Sequence, residues 1–267
     1  MSTTDHTTTT TAAGRGMARW HDRVAFITGA TSGLGRVIAL RLVDEGLRVV
    51  VTGRRGDRLD ALVAEAVARG HDASRVLPQT FDVRDLDALD AAFERAVATF
   101  GGVDVIVANA GLARSPAILT GDPAAWRDML EVNVLALAEC TRLAAGDFAR
   151  RAVAGHIFHV SSMAGHRVAP GAGMYSATKY AVRVITESTR RELHAVGQGS
   201  RVTAISPGLV ETEFAEVLMG EDQGRALYRQ LEVLQPEDIA DALLWALASP
   251  PRLQVHDLLI RPTAQEH

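Results

Sequence analysis

The sequence predicts an α/β domain in which helices cover both faces of a mostly parallel sheet. Three observations predict it. Short apolar, β-branched runs alternate with longer amphipathic stretches along the chain. Runs such as RVVVTG (48–53) and DVIVANAG (104–111) are apolar on both faces, as strands between two helical layers must be. The first such run leads straight into a glycine-rich turn that opens a helix.

Taken in order, the apolar runs place strands at Val24–Thr28, Arg48–Thr52, Val76–Phe81, Val103–Ala108, His156–Val160, Val202–Ser206 and Asp257–Ile260. The amphipathic stretches between them predict helices over Leu34–Glu45, Asp57–Arg69, Leu86–Thr99, Pro123–Arg150, Met174–Val196 and Pro236–Ala248. No second domain, linker or internal repeat interrupts the pattern. Residues 1–18 read as a disordered tail, being rich in Thr, Gly and Ala without an apolar core. Residues 19–267 then form one domain. The segment Glu211–Leu234 is irregular but amphipathic, and suits a lid over the strand ends.

Composition excludes several function classes. With 267 residues, 47% of them hydrophobic, the chain can bury a large single core. A net charge of -4 and a pI near 6.1 argue against nucleic-acid or anionic-membrane partners. No apolar run approaches the ~18–20 residues of a membrane span. The lone cysteine, Cys140, lies in the apolar pattern VLALAEC and reads as packing rather than as a nucleophile. The expected compartment is the cytoplasm. The nine histidines show no metal-ligand spacing, so no metal is expected. His159 and His194 read as structural, whereas His166 is a candidate to reach a substrate.

The first strand runs into Thr28-Gly29-Ala30-Thr31-Ser32-Gly33-Leu34-Gly35. Glycines let backbone approach a pyrophosphate, and the helix N-terminus supplies unpaired N–H groups. A tight strand-to-helix turn without a ligand is the plainer alternative. After the second strand, Gly53 stands where an NAD site usually places a carboxylate, and Arg54 and Arg55 follow. Guanidinium groups grip a 2′-phosphate, so NADP(H) is favoured over NAD(H). A solvated start to the next helix would explain Arg55 more readily than Arg54. Asp82, with Val83, ends the third strand, where a carboxylate would accept from an adenine amino group or cap a turn. Asn109-Ala110-Gly111 ends the fourth, where small residues would let a cofactor lie close.

Ser161-Ser162-Met163-Ala164-Gly165 ends the fifth strand, and Tyr175-Ser176-Ala177-Thr178-Lys179 opens the long helix that follows. Tyr175 and Lys179 stand one helical turn apart on one face. Of 28 Lys plus Arg, Lys179 is the sole lysine, so a generic cation does not explain it. An ammonium beside a phenol favours the phenolate, so a Tyr175 pKa below the usual 10 is expected. Such a group would give a proton to a carbonyl oxygen or take one from an alcohol. Ser162 would hydrogen-bond the same oxygen.

TGATSGLG at 28–35, NAG at 109–111, Asn133 in EVNVLAL, Ser162 thirteen residues before Tyr175, YSATK at 175–179 and SPGLVET at 206–212 occur in one order. In this the chain resembles the short-chain dehydrogenase/reductase family. The resemblance implies one Rossmann-like domain, a seven-stranded sheet and no metal. It implies that Asn133 holds a water leading from Lys179 to solvent, that Ser162 orients a carbonyl and that Tyr175 is the acid/base. Lys179 would bind the nicotinamide ribose, and Pro207, Gly208, Val210 and Thr212 would hold the carboxamide. Ala108 departs from the pattern, since many members have asparagine there; its loss puts a local hydrogen-bond arrangement in doubt. The stretches MARWHDR, NAGLAR, SSMAGHRVAP and HDLLIRPTAQ resemble a subgroup of NADPH-dependent 17β-hydroxysteroid and dicarbonyl reductases. LQPEDIADALLWALASP with IRPT resembles bacterial NADP-dependent dehydrogenases of 3-hydroxy acids.

Two catalytic readings follow. A carbonyl reductase would line its pocket with Leu112, Met163, Ala164, Leu209, Phe214, Leu218, Met219 and Tyr228, an apolar set suited to a bulky ketone. Each of these residues would serve equally as core or lid packing. A dehydrogenase of small 3-hydroxy acids would need a cation, for which Arg114 and Arg167 are candidates. A third reading, a non-catalytic NADP(H)-binding sensor, sits poorly with an intact Tyr–Lys pair. The resemblance further implies a homotetramer or homodimer.

Overall fold

The computed structural model describes residues 16–114, 116–220, 222, 224, 226, 228 and 232–265. Seven strands form a single sheet: β1 (Val24–Ile27), β2 (Arg48–Gly53), β3 (Val76–Thr80), β4 (Val105–Ala108), β5 (His156–Val160), β6 (Arg201–Pro207) and β7 (Asp257–Ile260). Their order is β3-β2-β1-β4-β5-β6-β7, and every pairing is parallel. Each expected strand is present, with ends shifted by at most two residues. The helices are α1 (Gly33–Asp44), α2 (Gly56–Ala68), α3 (Leu86–Phe100), α4 (Pro123–Leu130), α5 (Ala136–Arg151), α6 (Gly173–Val196), α7 (Glu213–Met219) and α8 (Pro236–Ala248).

Alternation along the strands separates two cores. Ala25, Ile27, Val49, Val51, Val105 and Val107 face α1, α2 and α8. Val24, Phe26, Val50 and Ile106 face the opposite way, onto α3, α5 and α6. Both sides of each strand are apolar because both sides are covered. Full burial of each such side chain contributes roughly 1.5–3 kcal/mol, so the central strands are the most strongly held part of the molecule.

Two expectations change. The helix expected as continuous over Pro123–Arg150 is broken by a π-helical stretch, Glu131–Leu135, between α4 and α5. Wider i→i+5 bonding leaves backbone groups without their usual partners, and such turns gather at functional positions; Asn133 lies in its middle and is buried. The expected tail, 1–18, runs too far into the chain. Met17 is buried with Trp20 in the first core, and Trp20 Nε1 donates to Leu247 O at 2.9 Å. The remainder of that tail, 1–15, lies outside the described residues.

The strand order reverses between β1 and β4: the chain leaves β1 towards β2 on one side and returns to β4 on the other. In an open α/β sheet the crevice beyond the strand ends at such a switch is where ligands sit. The glycine turn after β1 and Asn109-Ala110-Gly111 after β4 form its floor. The segment expected as a lid begins with α7 and returns through the parallel bridge Val210↔Leu234.

Candidate active site

The glycine turn is shaped by contact with its neighbour. Gly29 has φ +69, and a Cβ there would lie 2.9 Å from Ala110 Cα. At Gly35, a Cβ would lie 2.5 Å from both Asn109 Nδ2 and Gly29 O. Side chains at these positions would push the two loops apart. Asn109 Nδ2 donates to Thr28 O (2.8 Å) and Gly29 O (3.2 Å), while Thr28 Oγ1 accepts from the amides of Asn109 and Ala110, each at 3.0 Å. The bonding put in doubt by Ala108 is thus closed by Thr28 and Asn109. At the head of α1, Ser32 makes no side-chain cap, and first-turn amides lack a helix partner.

The basic end is built differently from the sequence expectation. Arg54 is mostly exposed, its Nη1 3.8 Å from Asp82 Oδ2. Arg55 instead folds across the glycine turn. Its Nη2 donates to Thr31 Oγ1 (2.9 Å) and Ser32 Oγ (2.8 Å), and its Nη1 to Glu213 Oε2 (3.1 Å). Arg58 also pairs with Glu213, through Oε1. A cavity of about 250 Å³ opens here, with Ser32, Arg36, Arg58 and Glu213 in its wall. Donors of this kind beside an open helix N-terminus fit a dinucleotide carrying a 2′-phosphate. Arg36 and Arg58 fall within expected helices and Glu213 within the segment expected as a lid, and nothing in their sequence context singles them out.

Asp82 accepts from the Arg84 amide (3.0 Å) and pairs with the Arg84 guanidinium (2.8 Å). The Arg84 hydrogen bonds, against a smaller opposing effect of burial, hold its carboxyl below the usual range. Val83 beside it is buried.

At the other end of the crevice, Tyr175, Ser162, Lys179 and Asn133 come together. Ser162 Oγ accepts from Ala164 N (3.1 Å), which caps the short turn 163–165, and lies close enough to the Tyr175 hydroxyl to lower its pKa. Lys179 is buried, and its Nζ donates to Val160 O at 2.9 Å. Asn133 Oδ1 accepts from Leu112 N (2.8 Å), while its Nδ2 donates to Leu112 O (2.9 Å) and Thr178 Oγ1 (3.0 Å). A methyl built on Gly111 would lie 3.5 Å from Asn133 Oδ1 and 3.6 Å from Lys179 Nζ, so both polar atoms border one spot.

The expected lowering of the tyrosine is not what this arrangement produces. Burial pushes Tyr175 up to about 12, opposed by the Ser162 hydrogen bond. Burial also pulls Lys179 down to about 8. The reason is positional: Nζ lies 5.8 Å from the Tyr175 ring centre and is turned to the Val160 carbonyl. Desolvation of the phenolate therefore outweighs the attraction of the ammonium.

Beyond β6, Glu211 N donates to Leu234 O (2.9 Å) and Leu234 N to Leu209 O (3.1 Å). In this parallel bridge the bonds are made by Val210's neighbours, so its own N–H and C=O point the other way. Gly208 N donates to Ile260 O (2.7 Å), fixing the turn after Pro207. Tyr228 Oη donates to Thr212 O (3.0 Å), so it braces the segment rather than opening to a pocket. Phe214 lies over Tyr175, ring centres 5.7 Å apart. Leu112, Met163, Ala164 and Leu209 are half-buried near the same strand ends, whereas the side chains of Leu218 and Met219 lie outside the described residues.

His166 Nε2 lies 3.1 Å from Ser206 Oγ and 3.0 Å from Asp257 Oδ2, tying the turn after Ser162 to β6 and β7. His159 is buried between Thr141 and Thr186, each at 2.8 Å. Cys140 is buried, and desolvation pushes its thiol up to about 12, as for a packing residue. Among the described residues no group of metal-ligating side chains converges, and no helix is long and apolar enough to cross a membrane.

Residues 23–223 match the family described as short chain dehydrogenase. Dehydrogenase/reductase SDR family member 11 of Mus musculus is 42% identical over 255 residues, covering 94% of this chain and 98% of the relative. Farnesol dehydrogenase of Aedes aegypti is 39% identical over 253 residues, covering 94% and 100%. Among solved structures, the closed form of serine dehydrogenase complexed with NADP+ superposes with a TM-score of 0.85 at 32% identity, covering 91% of this chain and 96% of that one. Both subgroups resembled by the sequence are therefore among its relatives. With its seven parallel strands and glycine turn, the chain belongs to the short-chain dehydrogenase/reductase family, and it is an oxidoreductase acting on CH–OH or C=O groups.

Proposed function

We propose that this oxidoreductase uses NADP(H) and reduces a ketone or aldehyde, or oxidises the matching secondary alcohol. The observation that carries the reading is the single cluster of Tyr175, Ser162, buried Lys179 and Asn133 at the strand ends opposite a basic, glycine-floored cavity. Gly29, Thr31, Ser32, Gly33, Leu34 and Gly35 would hold the pyrophosphate, and Arg54 and Arg55 the 2′-phosphate. Asp82 and Val83 would border the adenine. Asn109, Ala110 and Gly111 would let the cofactor lie against the sheet. Pro207, Gly208, Val210 and Thr212 would hold the carboxamide, Val210 through its outward N–H and C=O. When bound, the nicotinamide supplies the hydride.

The rest of the chemistry belongs to the chain. A tyrosine near 12 is protonated at neutral pH, so Tyr175 is ready to give a proton to a substrate oxygen as negative charge develops there. Ser162, beside the Tyr175 hydroxyl, would hydrogen-bond the same oxygen. Lys179, charged below about 8, would bind the nicotinamide ribose and favour the phenolate left after proton transfer. Asn133, bordering the same spot as Nζ, would hold a water through which Lys179 regains its proton.

The apolar residues around Tyr175 favour a bulky ketone or dicarbonyl. A second reading, oxidation of small 3-hydroxy acids, is favoured by the similarity to serine dehydrogenase. Arg114, only loosely paired to Asp128 at 4.0 Å, would meet the carboxylate. We further propose a cytoplasmic protein that assembles as a homotetramer or homodimer, because Leu135, Val184, Trp245 and Leu259 are exposed on helical and edge surfaces.

The test is loss of NADPH absorbance against a panel of ketones, dicarbonyls and aldehydes, with NADH and Tyr175→Phe in parallel. Turnover that prefers NADPH and falls by about 10²–10⁴ in Tyr175→Phe supports the reading. Turnover confined to hydroxy acids with NADP+ supports the second. Tight NADPH binding with neither turnover would return weight to a sensor.

A further inference from the structure

We propose that Glu213 is a specificity-determining residue: its carboxylate holds Arg55, assigned above to the 2′-phosphate, together with neighbouring Arg58, so carboxylate and phosphate compete for Arg55. The inference rests on the NADP(H) reading above and concerns how strongly that preference is set.

Four observations support it. Glu213 accepts from Arg55 through Oε2 at 3.1 Å and pairs with Arg58 through Oε1, so one carboxylate engages both guanidinium groups. Arg55 is simultaneously bound to the hydroxyls of Thr31 and Ser32, which places the pair on the glycine turn itself. The carboxylate, Arg58 and Ser32 share the wall of one cavity of about 250 Å³. Burial raises the Glu213 pKa, but the arginine hydrogen bonds and charges outweigh it and hold the carboxyl below its usual range.

Glu213 is also held in position by its neighbours in sequence. Thr212 packs against the glycine turn, with Cγ2 3.2 Å from where a Cβ of Gly33 would be, and caps α7 through its bond from Phe214 N. Phe214 lies over Tyr175. The carboxylate is therefore delivered to the arginines by a segment anchored on both sides, unlike a surface side chain that samples several partners.

The physical consequence follows from charge. A phosphate monoester carries nearly two negative charges and accepts bidentate bonds from guanidinium better than a carboxylate does. It must nevertheless displace Glu213 from Arg55 or share that arginine with it. A dinucleotide without the 2′-phosphate meets no such competition. Glu213 thus lowers NADP(H) affinity while leaving NAD(H) affinity unaffected, and narrows the gap between them.

The experiment measures equilibrium binding of NADP+ and NAD+ by calorimetry, at fixed ionic strength, for wild type, Glu213→Gln, Arg55→Gln and the double variant. The expected result is about tenfold tighter NADP+ binding by Glu213→Gln, with NAD+ binding unchanged. The gain should disappear when Arg55 is also replaced. Glu213 is half-exposed, and a thermal melt of each variant checks folding. Equal weakening of both cofactors in Glu213→Gln would overturn the proposal, because the carboxylate would then only hold α7 in place. Unchanged NADP+ binding would overturn it as well. Failure of the underlying cofactor reading is distinguishable: Arg55→Gln would leave NADP+ binding intact, and wild type would bind NAD+ at least as tightly.

Discussion

The Lys179→Met variant removes the charge of the chain's one lysine while keeping nearly its length and volume. The ammonium is buried, and desolvation lowers its pKa from 10.5 to about 8. At ~1.4 kcal/mol per pKa unit, holding it charged at neutral pH costs the fold about 3 kcal/mol. Methionine removes that cost. It also leaves Val160 O without the donor now 2.9 Å away, an opposing loss of roughly 1–2 kcal/mol. The variant should therefore be more stable than wild type by about 1–2 kcal/mol at neutral pH, while its turnover collapses. The sign has a pH signature. Between about 8 and 10.5 the unfolded wild type still binds the proton and the folded form does not, so wild-type stability rises with pH across that window. The advantage of Lys179→Met should shrink accordingly and reverse by the upper end, because the wild type regains about 3 kcal/mol there. Urea unfolding of both proteins from neutral pH to above 10 measures it, at one protein concentration. A variant less stable than wild type at neutral pH would refute the reasoning, as would a difference that does not change with pH.

Further outcomes are expected. Because Tyr175 stays protonated up to about 12, the kcat/KM of carbonyl reduction should be flat below pH 8. Above it, kcat/KM should fall about tenfold per pH unit as Lys179 loses its proton, and Lys179→Arg should remove that descending limb. Acid should unfold the protein through buried histidines. His159 is held down to about 3 and His156 well below 6.5, so the unfolded state binds protons first and stability falls as pH drops below 6.5. Thermal melts from pH 7 to 4 measure the slope, and His159→Gln should make it shallower. Gly35→Ala should abolish cofactor binding while leaving most of the fold, since its Cβ would meet Asn109 Nδ2 and Gly29 O at 2.5 Å; calorimetric titration with NADP+ checks it. Asp147→Ala should destabilise by about 3 kcal/mol, because it strips Arg151 of a buried partner and Val103 N of its acceptor at 2.9 Å; urea unfolding measures it.

The sequence by itself determined the alternation of strands and helices, because apolar runs must be buried on both faces and amphipathic runs on one. It determined the glycine turn too, since Gly29 adopts a backbone that side chains resist and Gly35 touches neighbouring backbone. It also set the pairing of Tyr175 with Lys179, which one helical turn enforces. What lay beyond it were contacts between residues far apart in the chain. Arg58 and Glu213 are 155 positions apart, one in an expected helix and the other in the expected lid segment, and neither alone signals a site. Asn133 reads as one polar residue in an apolar helix until the π-turn and Thr178 give it a place. The tyrosine's pKa shows the same limit. Spacing put an ammonium beside a phenol, but the tertiary structure turned Nζ towards Val160 O and enclosed the hydroxyl, so burial and not charge decides its direction. Helical spacing is a local property of the chain; desolvation depends on everything packed around a group, and only the folded molecule supplies that.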